Sequence, residues 1–250
     1  MRLETMFNPI QRERLLAAID RRYSCRAYAG EPSVADWGAL AYAAQRYALP
    51  GARLALLRVS ERLFTGMVLN MGRVTGCTAV AAVIASTREK RSRIHAGILG
   101  EALCLEASAM GLGTCWIAGT YRRKALEVDL QEGETVLAII AVGVPEKRSE
   151  VISRRRKPLE KLCHGDIALW TEELRDVARA VQQAPSAMNL QPWTMKLESD
   201  RFLIDAPDRA QLDLGIALCH AELAMTGDHT WHYSRRRSDP AAWIEAGSRQ

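Results

Sequence analysis

The sequence predicts an α+β protein in which helices surround a mixed, mainly antiparallel sheet. Segments with the apolar spacing of helices alternate with short apolar runs of strand length. The 250 residues are enough to bury a sizeable core, and hydrophobic and charged fractions of 48% and 25% are typical of a globular protein. These values exclude a disordered, collagen-like or coiled-coil protein.

Five segments have the pattern of helices. Ser33 is a favourable N-cap residue with Asp36 in the first turn behind it, and Gly111-Leu112-Gly113 is a clear helix stop. The predicted helices cover residues 9–20, 33–47, 93–110, 171–183 and 210–225.

Apolar and alternating runs predict the strands, at 54–59, 77–86, 136–144, 193–197 and 201–205, the last two forming a hairpin. No apolar run approaches the roughly 20 residues that cross a membrane. The segment Met1–Asn8 has no apolar region typical of a secretory signal. We therefore expect a cytoplasmic protein without membrane contact.

A stretch of the sequence recurs after 115 residues. Gly100–Trp116 and Gly215–Trp231 share seven identities in seventeen positions, where chance gives roughly one or two. Each copy is an Ala/Leu-rich helix followed by a turn and a Trp. The repeat predicts two related halves, as in a homodimer fused into one chain, and the alternative is two similar Ala-rich helices.

The six cysteines are scattered, which favours reduced core thiols over a disulfide framework. The nearest approach to a metal site is the group Cys219, His220, His229 and His232, which lacks a second ligand cluster, so no metal is expected.

The net charge is +5, and basic residues cluster near 21–26, 154–157 and 235–237. Such clusters can bind nucleic acid, an anionic surface or a single phosphate, or can simply face solvent. With only three Phe residues and no basic stretch interleaved with aromatics, a small phosphate ligand is favoured over nucleic acid.

Three segments are candidates for a site. In the arginine segment (residues 22–26), strand alternation would point Arg22, Ser24 and Arg26 to one side, where they suit a phosphate; the alternative is a solvated basic strand. In the proline loop (residues 184–193, APSAMNLQPW), two prolines present Ser186, Asn189 and Gln191 on a stiff backbone.

An Asn amide in such a loop matches an imide edge, although Asn is also a common turn residue. The third candidate is the glycine segment (residues 111–119, GLGTCWIAG), which would let a flat ring approach the backbone; the alternative is a helix cap followed by a buried strand.

Together these segments resemble the nitroreductase family of FMN-dependent oxidoreductases. The family has R-x-S-x-R, P-S-x-x-N-x-Q-P-W and G-L-G-t segments and a basic R-x-P segment, which here is the basic run Arg154-Arg155-Arg156-Lys157-Pro158. The resemblance covers most of residues 12–230 and implies a three-layer α+β fold.

The resemblance also implies FMN-binding residues. Arg22, Ser24 and Arg26 would hold the phosphate, ribityl and pyrimidine end, with Arg26 also stabilising reduced flavin, and Arg154 and Arg156 would complete the phosphate clamp. Pro185, Ser186 and Asn189 would touch the isoalloxazine, and the backbone of Ile117, Ala118 and Gly119 would face N5. No catalytic side chain or metal is implied.

The order of the motifs differs from the usual family pattern. In the family, the proline loop usually follows R-x-S-x-R. Residues 48–53 occupy that position here, and they lack the Ser, Asn and Gln of the loop. In the second half, residues 163–170 occupy the position of R-x-S-x-R and lack that motif. In the family, FMN lies at a dimer interface and takes one motif from each subunit. We therefore expect a fused dimer with one FMN per chain, a monomer being possible.

The corresponding domains are a first half at 1–160 with a linker at 146–160, a second half at 161–235, and a polar tail at 236–250. The implied activity is ping-pong hydride transfer from NAD(P)H through FMN to a nitroaromatic, quinone or similar small-molecule acceptor. The alternatives are a flavin-binding carrier or sensor without turnover and, from the basic charge, a nucleic-acid-binding module.

Overall fold

The computed structural model describes residues 6–64, 73–89, 91–147, 155–199, 201–226, 229–233 and 242–245. The helices there are α1 (Pro9–Ile19), α2 (Val34–Arg46), α3 (Ser92–Ala109), α4 (Leu159–Leu162), α5 (Glu172–Gln183) and α6 (Gln211–Ala224). The strands are β1 (Tyr28–Gly30), β2 (Ala52–Arg58), β3 (Ala79–Ser86), β4 (Gly113–Ile117), β5 (Glu134–Pro145), β6 (Cys163–His164), β7 (Thr194–Glu198), β8 (Arg201–Asp205) and β9 (Ala242–Glu245).

The chain divides into two compact units. The central unit is residues 20–153, and the terminal unit combines residues 1–19 with 154–250. The predicted first half included residues 1–20 and ended at 160, whereas α1 contacts α6 and belongs to the terminal unit. The division into halves at 160 stays a prediction.

The central unit contains an antiparallel sheet in the order β1-β5-β3-β2, with β4 also paired to β5. α3 packs on this sheet and is buried along almost its whole length, as its Ala/Leu-rich sequence predicts. It ends at Ala109, and the φ of 82° at Gly111 lets the Leu112 amide donate to the Ala107 carbonyl at 2.9 Å.

The terminal unit contains a four-stranded sheet in the order β6-β7-β8-β9, in which only the β6–β7 pair is parallel. α5 packs on α6, and α6 is the buried helix of this unit. Thr171 caps α5 by accepting from the Leu174 amide at 3.3 Å.

The predicted helices and the predicted long strands are confirmed, with ends within a few residues. Ser33 caps α2 by accepting from the Asp36 amide at 3.1 Å. The six cysteines are free and buried. Within the part of the chain that the structure describes, no helix is long and apolar enough to cross a membrane.

Two expectations need correction. The tail expected after 235 contains β9, because Ala242 and Ile244 are fully buried on β8 while Trp243 stacks on His232 at 5.6 Å. The linker predicted at 146–160 includes the start of α4, whose last residue, Leu162, is buried.

Candidate functional site

Two of the predicted segments lie side by side in the central unit. Ser24 of the arginine segment forms a parallel bridge with Thr114 of β4, and the Cys25 amide donates to the Thr114 carbonyl at 2.8 Å. This close packing of the arginine segment on β4 needs a glycine at position 113, since a Cβ there would lie 2.7 Å from Cys25 Cβ. The arginine segment therefore runs along the strand that leads into residues 117–119.

Arg22 is buried inside the central unit. Its side chain is 3% exposed, and its Nε lies 3.6 Å from Glu101 Oε1 on α3. Among the described residues, no acceptor hydrogen-bonds its Nε or Nη1. A buried guanidinium with unbonded N–H groups is unfavourable, so an oxygen of a bound anion would stabilise it.

Strand alternation predicted that the three polar side chains of the arginine segment point to one side. In the structure these side chains differ in exposure. Arg22 is buried, Ser24 is exposed and Arg26 is half-buried. Arg22 is buried because it forms an ion pair with Glu101, which lies on the buried helix α3.

Arg26 is a cation without a carboxylate partner in the described part of the chain. Its Nη1 donates to the Ser24 carbonyl at 3.2 Å, and no described Asp or Glu forms an ion pair with it. Burial raises the pKa of the Cys115 thiol, and the charges of Arg26 and Arg22 act in the opposite direction. The segment thus creates a positive potential at β4, which suits an anionic group.

The loop after β4 is open. Ile117 is buried but Ala118 and Gly119 are exposed, and a Cβ built on Gly119 would meet nothing within 4 Å. Arg123 holds the loop from one side, because its guanidinium donates to the carbonyls of Ala118 and Val136 at 3.4 Å each. A flat ring could approach this backbone without a clash.

In the terminal unit, the basic run is bonded to the proline loop. Arg156 donates to Asn189 Oδ1 at 2.7 Å and to the Gln183 carbonyl at 2.9 Å, and Asn189 Nδ2 donates to the Arg155 carbonyl at 2.8 Å. The structure therefore brings Arg156 and Asn189 together. The side-chain amide of Asn189, which was predicted to bind the edge of a ligand, forms hydrogen bonds with the basic run instead.

The proline loop has an unusual backbone. Met188, Asn189 and Gln191 have φ values of 51°, 56° and 45°, in the left-handed region that non-glycine residues rarely adopt. Such strain clusters at functional sites, where the surroundings must hold it in place.

Several contacts hold this backbone. Gln191 is 3% exposed, its amide donates to Ser186 Oγ at 2.8 Å, and its side-chain oxygen accepts from the Lys157 amide at 2.8 Å. Asp213 of α6 accepts from the Ala187 amide at 2.9 Å. Pro185 is buried beside them.

Two further parts of the sequence analysis concern Arg154 and the residues considered for a metal. Arg154 lies outside the described residues. Of the four residues considered for a metal, the three histidines have other contacts: His229 bonds Glu222 at 2.7 Å, His220 Nδ1 bonds the Ala180 carbonyl at 2.9 Å, and His232 stacks on Trp243. The described residues contain no group of three metal-ligating side chains.

Sequence reasoning missed the buried carboxylates of the two central helices. In the central unit, Glu101 accepts from Trp116 Nε1 at 2.8 Å. In the terminal unit, Glu222 accepts from Trp231 Nε1 at 2.9 Å and from Arg12 Nη2 at 2.7 Å. A Glu inside an otherwise apolar helix, together with the Trp of the repeat, was the available signal.

These features define an α+β protein with an anion-attracting segment beside an open backbone loop. A sequence model of the family described as "Putative TM nitroreductase" matches residues 14–225. The chain therefore belongs to this family of nitroreductases.

One solved structure agrees with that fold. The crystal structure of a nitroreductase from Thermotoga maritima is similar with a TM-score of 0.64 and 21% identity, over 93% of each chain. An NADH dehydrogenase/NAD(P)H nitroreductase from Bacteroides thetaiotaomicron matches 61% of this chain and 96% of its own at 18% identity, with a TM-score of 0.48.

An FMN-bound nitroreductase from Desulfitobacterium hafniense matches 56% of this chain and 94% of its own at 19% identity, with a TM-score of 0.42. A comparison with curated proteins finds no match.

Proposed function

We propose that this chain is an FMN-dependent oxidoreductase that uses NAD(P)H to reduce a nitroaromatic, quinone or similar small acceptor. The observation that carries the proposal is the arginine segment next to the open loop after β4: among the described residues, the buried Arg22 has two nitrogens without a hydrogen-bond acceptor, and Arg26 has no carboxylate partner. This combination of cations and accessible backbone suits a flat cofactor with a phosphate.

The residues that would hold FMN come from the motifs of the sequence. They are Arg22, Ser24 and Arg26 for its phosphate, ribityl and pyrimidine groups, Arg154 and Arg156 for its phosphate, Pro185, Ser186 and Asn189 for its ring, and the backbone of Ile117, Ala118 and Gly119. We assign one FMN per chain, because each motif is intact once in the sequence.

When bound, FMN would supply hydride transfer between the nicotinamide and the acceptor. The half-buried charge of Arg26 would favour negative charge on the pyrimidine side, since a fixed cation in a poorly solvated site stabilises an anion strongly. The exposed Ala118 and Gly119 would leave one face of the loop accessible to substrate.

We further propose that the two units descend from one duplicated half. In the central unit α2, β2, β3, α3, β4 and β5 follow one another, with antiparallel pairs β2–β3, β3–β5 and β4–β5. In the terminal unit the order is α5, β7, β8, α6 and β9, with antiparallel pairs β7–β8 and β8–β9, and His232 bridges β9 where β4 bridges β5.

The two Trp residues that correspond in the repeat make similar contacts. Trp116 and Trp231 each donate an indole N–H to a buried Glu of the preceding helix, although Glu101 and Glu222 stand at different positions of the repeat.

The absorbance spectrum of the purified protein, with and without added FMN, tests the cofactor. We expect the two visible bands of an oxidised flavin, bleached anaerobically by NADH or NADPH and restored by a quinone or nitroaromatic. Colourless protein that cannot be reconstituted with FMN would overturn the proposal. Bound flavin that neither nucleotide bleaches would indicate a carrier or sensor instead.

A pair of neighbouring variants tests the residues. Arg26→Gln removes the half-buried cation and should weaken FMN binding about tenfold, because a charge-assisted contact to FMN is lost. Arg21→Gln, an exposed arginine five positions earlier, is the control and should bind FMN like the wild type.

A further inference from the structure

Asp213 is a half-buried carboxylate in the first turn of α6 with no cation beside it. Among the described residues, no basic side chain forms an ion pair with it, and its hydrogen bond comes from the Ala187 amide at 2.9 Å. Burial raises the pKa of this carboxyl, and the hydrogen bond from Ala187 acts against the rise. A folded pKa above the unfolded value means that the ionised side chain costs stability at neutral pH. Stability therefore does not account for a carboxylate at this position.

The hydrogen bond to Asp213 reaches the strained part of the proline loop. Met188 and Asn189, with φ values of 51° and 56°, follow Ala187 directly in the chain. Non-glycine residues persist in this region only where their surroundings hold them. Ser186 and Gln191 bond each other within the loop, whereas Asp213 holds the loop from a helix outside it.

The corresponding position of the central unit holds an apolar residue. Shifted by the 115 residues of the repeat, Asp213 falls on Ile98, which is fully buried in α3. Residues 48–53 lead into β2 as the proline loop leads into β7, and they lack its Ser, Asn and Gln. A different contact holds them, between His95 Nδ1 of α3 and the Pro50 carbonyl at 2.7 Å. The carboxylate thus stands in the half whose loop motif is intact.

We propose that Asp213 is a positioning residue, which holds the proline loop in the conformation that presents Ser186 and Asn189 to the flavin ring. This rests on the proposed function, in which these two residues touch the ring. Asp213 acts through the Ala187 amide. A carboxylate in the first turn also interacts favourably with the N-terminus of its own helix, and this simpler role predicts different behaviour of the variants below.

Asp213→Asn and Asp213→Ala separate the two roles. Asn keeps an oxygen that can accept from the Ala187 amide and loses the charge, whereas Ala loses both. A role confined to the charge of α6 would be lost equally in the two variants. Glu172→Ala is the control, because Glu172 is an exposed carboxylate in the first turn of α5, in the same unit, and pairs with Arg175.

Cleavage of the folded protein by chymotrypsin measures opening of the loop without any flavin. Met188 and Leu190 are 70% and 58% exposed, so the protease can cut after them once the turn opens. The rate of such cleavage follows the population of the open state. Mass spectrometry locates the cuts, and urea unfolding confirms that each variant is folded. If Asp213→Ala does not fold, Asp213→Ser replaces it, since the Ser hydroxyl is one bond shorter than the carboxylate.

We expect Asp213→Ala to be cut in the loop about tenfold faster than the wild type, because one hydrogen bond that closes the turn is lost. Asp213→Asn and Glu172→Ala should be cut at the wild-type rate within about twofold. FMN affinity should follow the same order. It should fall about tenfold in Asp213→Ala and stay near the wild-type value in Asp213→Asn, since a loop that is often open must be ordered on binding.

Cleavage of Asp213→Ala at the wild-type rate would overturn the proposal. Equally fast cleavage of Asp213→Ala and Asp213→Asn would also overturn it and would assign the carboxylate to the charge of α6. Faster cleavage with unchanged FMN affinity would show that the loop position does not matter for the cofactor, which contradicts a positioning role. A wild type that binds no FMN would refute the proposed function alone, because the cleavage series still decides whether Asp213 holds the loop.

Discussion

Glu222 shows how one buried charge can determine the pH dependence of stability. It is fully buried and accepts from Arg12, Trp231 and His229. Burial acts to raise the pKa of this carboxyl, but the hydrogen bond and charge of His229 and the hydrogen bonds from Arg12 and Trp231 outweigh it, and the pKa lies below the ordinary 4.5.

We therefore predict that Glu222 stabilises the fold fully above its unfolded pKa, and that this contribution is lost as pH falls through the lower folded pKa. Glu222→Gln should lower the free energy of unfolding at pH 7 by about 3 kcal/mol, because the charges around it lose their partner. Urea unfolding from pH 7 to about pH 3 measures both effects, since the loss occurs below the ordinary carboxyl pKa.

Glu198→Gln provides the control, since Glu198 is exposed in its pair with Lys196 and should change stability by less than about 0.5 kcal/mol. Similar losses in the two variants would show that the buried network contributes no more than a surface pair.

Residue-level roles were only partly predictable from sequence. Arg26 is half-buried and Gly119 is exposed, so both can be reached by a ligand, and their contacts with FMN stay a prediction. The burial of Arg22 depends on Glu101, which is 79 positions away in sequence, and the Asn189 contacts depend on Arg155 and Arg156. Local pattern contains no information on such distant partners, so these placements required the structure.

At the scale of elements, two glycines of the central unit are predicted to respond oppositely to the same substitution. Gly113→Ala places a Cβ 2.7 Å from Cys25 and should push the arginine segment away from β4, at a cost of about 1–3 kcal/mol and with weaker FMN binding. Gly38→Ala, inside α2 with no atom within 4 Å, should stabilise the fold by about 0.5–1 kcal/mol.

Thermal unfolding of the two variants, with and without FMN, measures this contrast. If Gly113→Ala were as stable as Gly38→Ala and bound FMN normally, the close packing of the arginine segment on β4 would not matter for the site.

The elements that could be predicted are those with strong local signals. α2 has its Ser33 cap, α3 has the Gly111 stop, and β3 and β5 are long apolar runs. β9 was missed because the apolar run at 241–244 is short and lies in a polar stretch, and its pairing partner β8 is nearly 40 residues away.

At the scale of the whole molecule, we predict one FMN per chain. The segment that would replace the arginine segment in a second site, residues 163–170, uses its groups internally: Asp166 accepts from the Ala168 amide at 2.9 Å, and Trp170 packs on Phe202. Arg53, in the segment that would replace the proline loop, is bonded twice to Glu134.

Absorbance of flavin released by denaturation, divided by protein concentration, measures the stoichiometry, and a ratio near one is expected. A ratio near two would show that the altered segments still form a site, and that the loss of motif residues was compensated.

The reactivity of the buried cysteines can be used to measure local opening of the chain. Burial raises the pKa of Cys77 and of Cys163 to about 11, so native thiols should react slowly with alkylating reagents, which attack the thiolate. Four cysteines lie in the central unit and two in the terminal unit: Cys25, Cys77, Cys104, Cys115, and Cys163, Cys219. Mass spectrometry after pulsed alkylation in rising urea should therefore give a separate opening free energy for each unit, without any added probe.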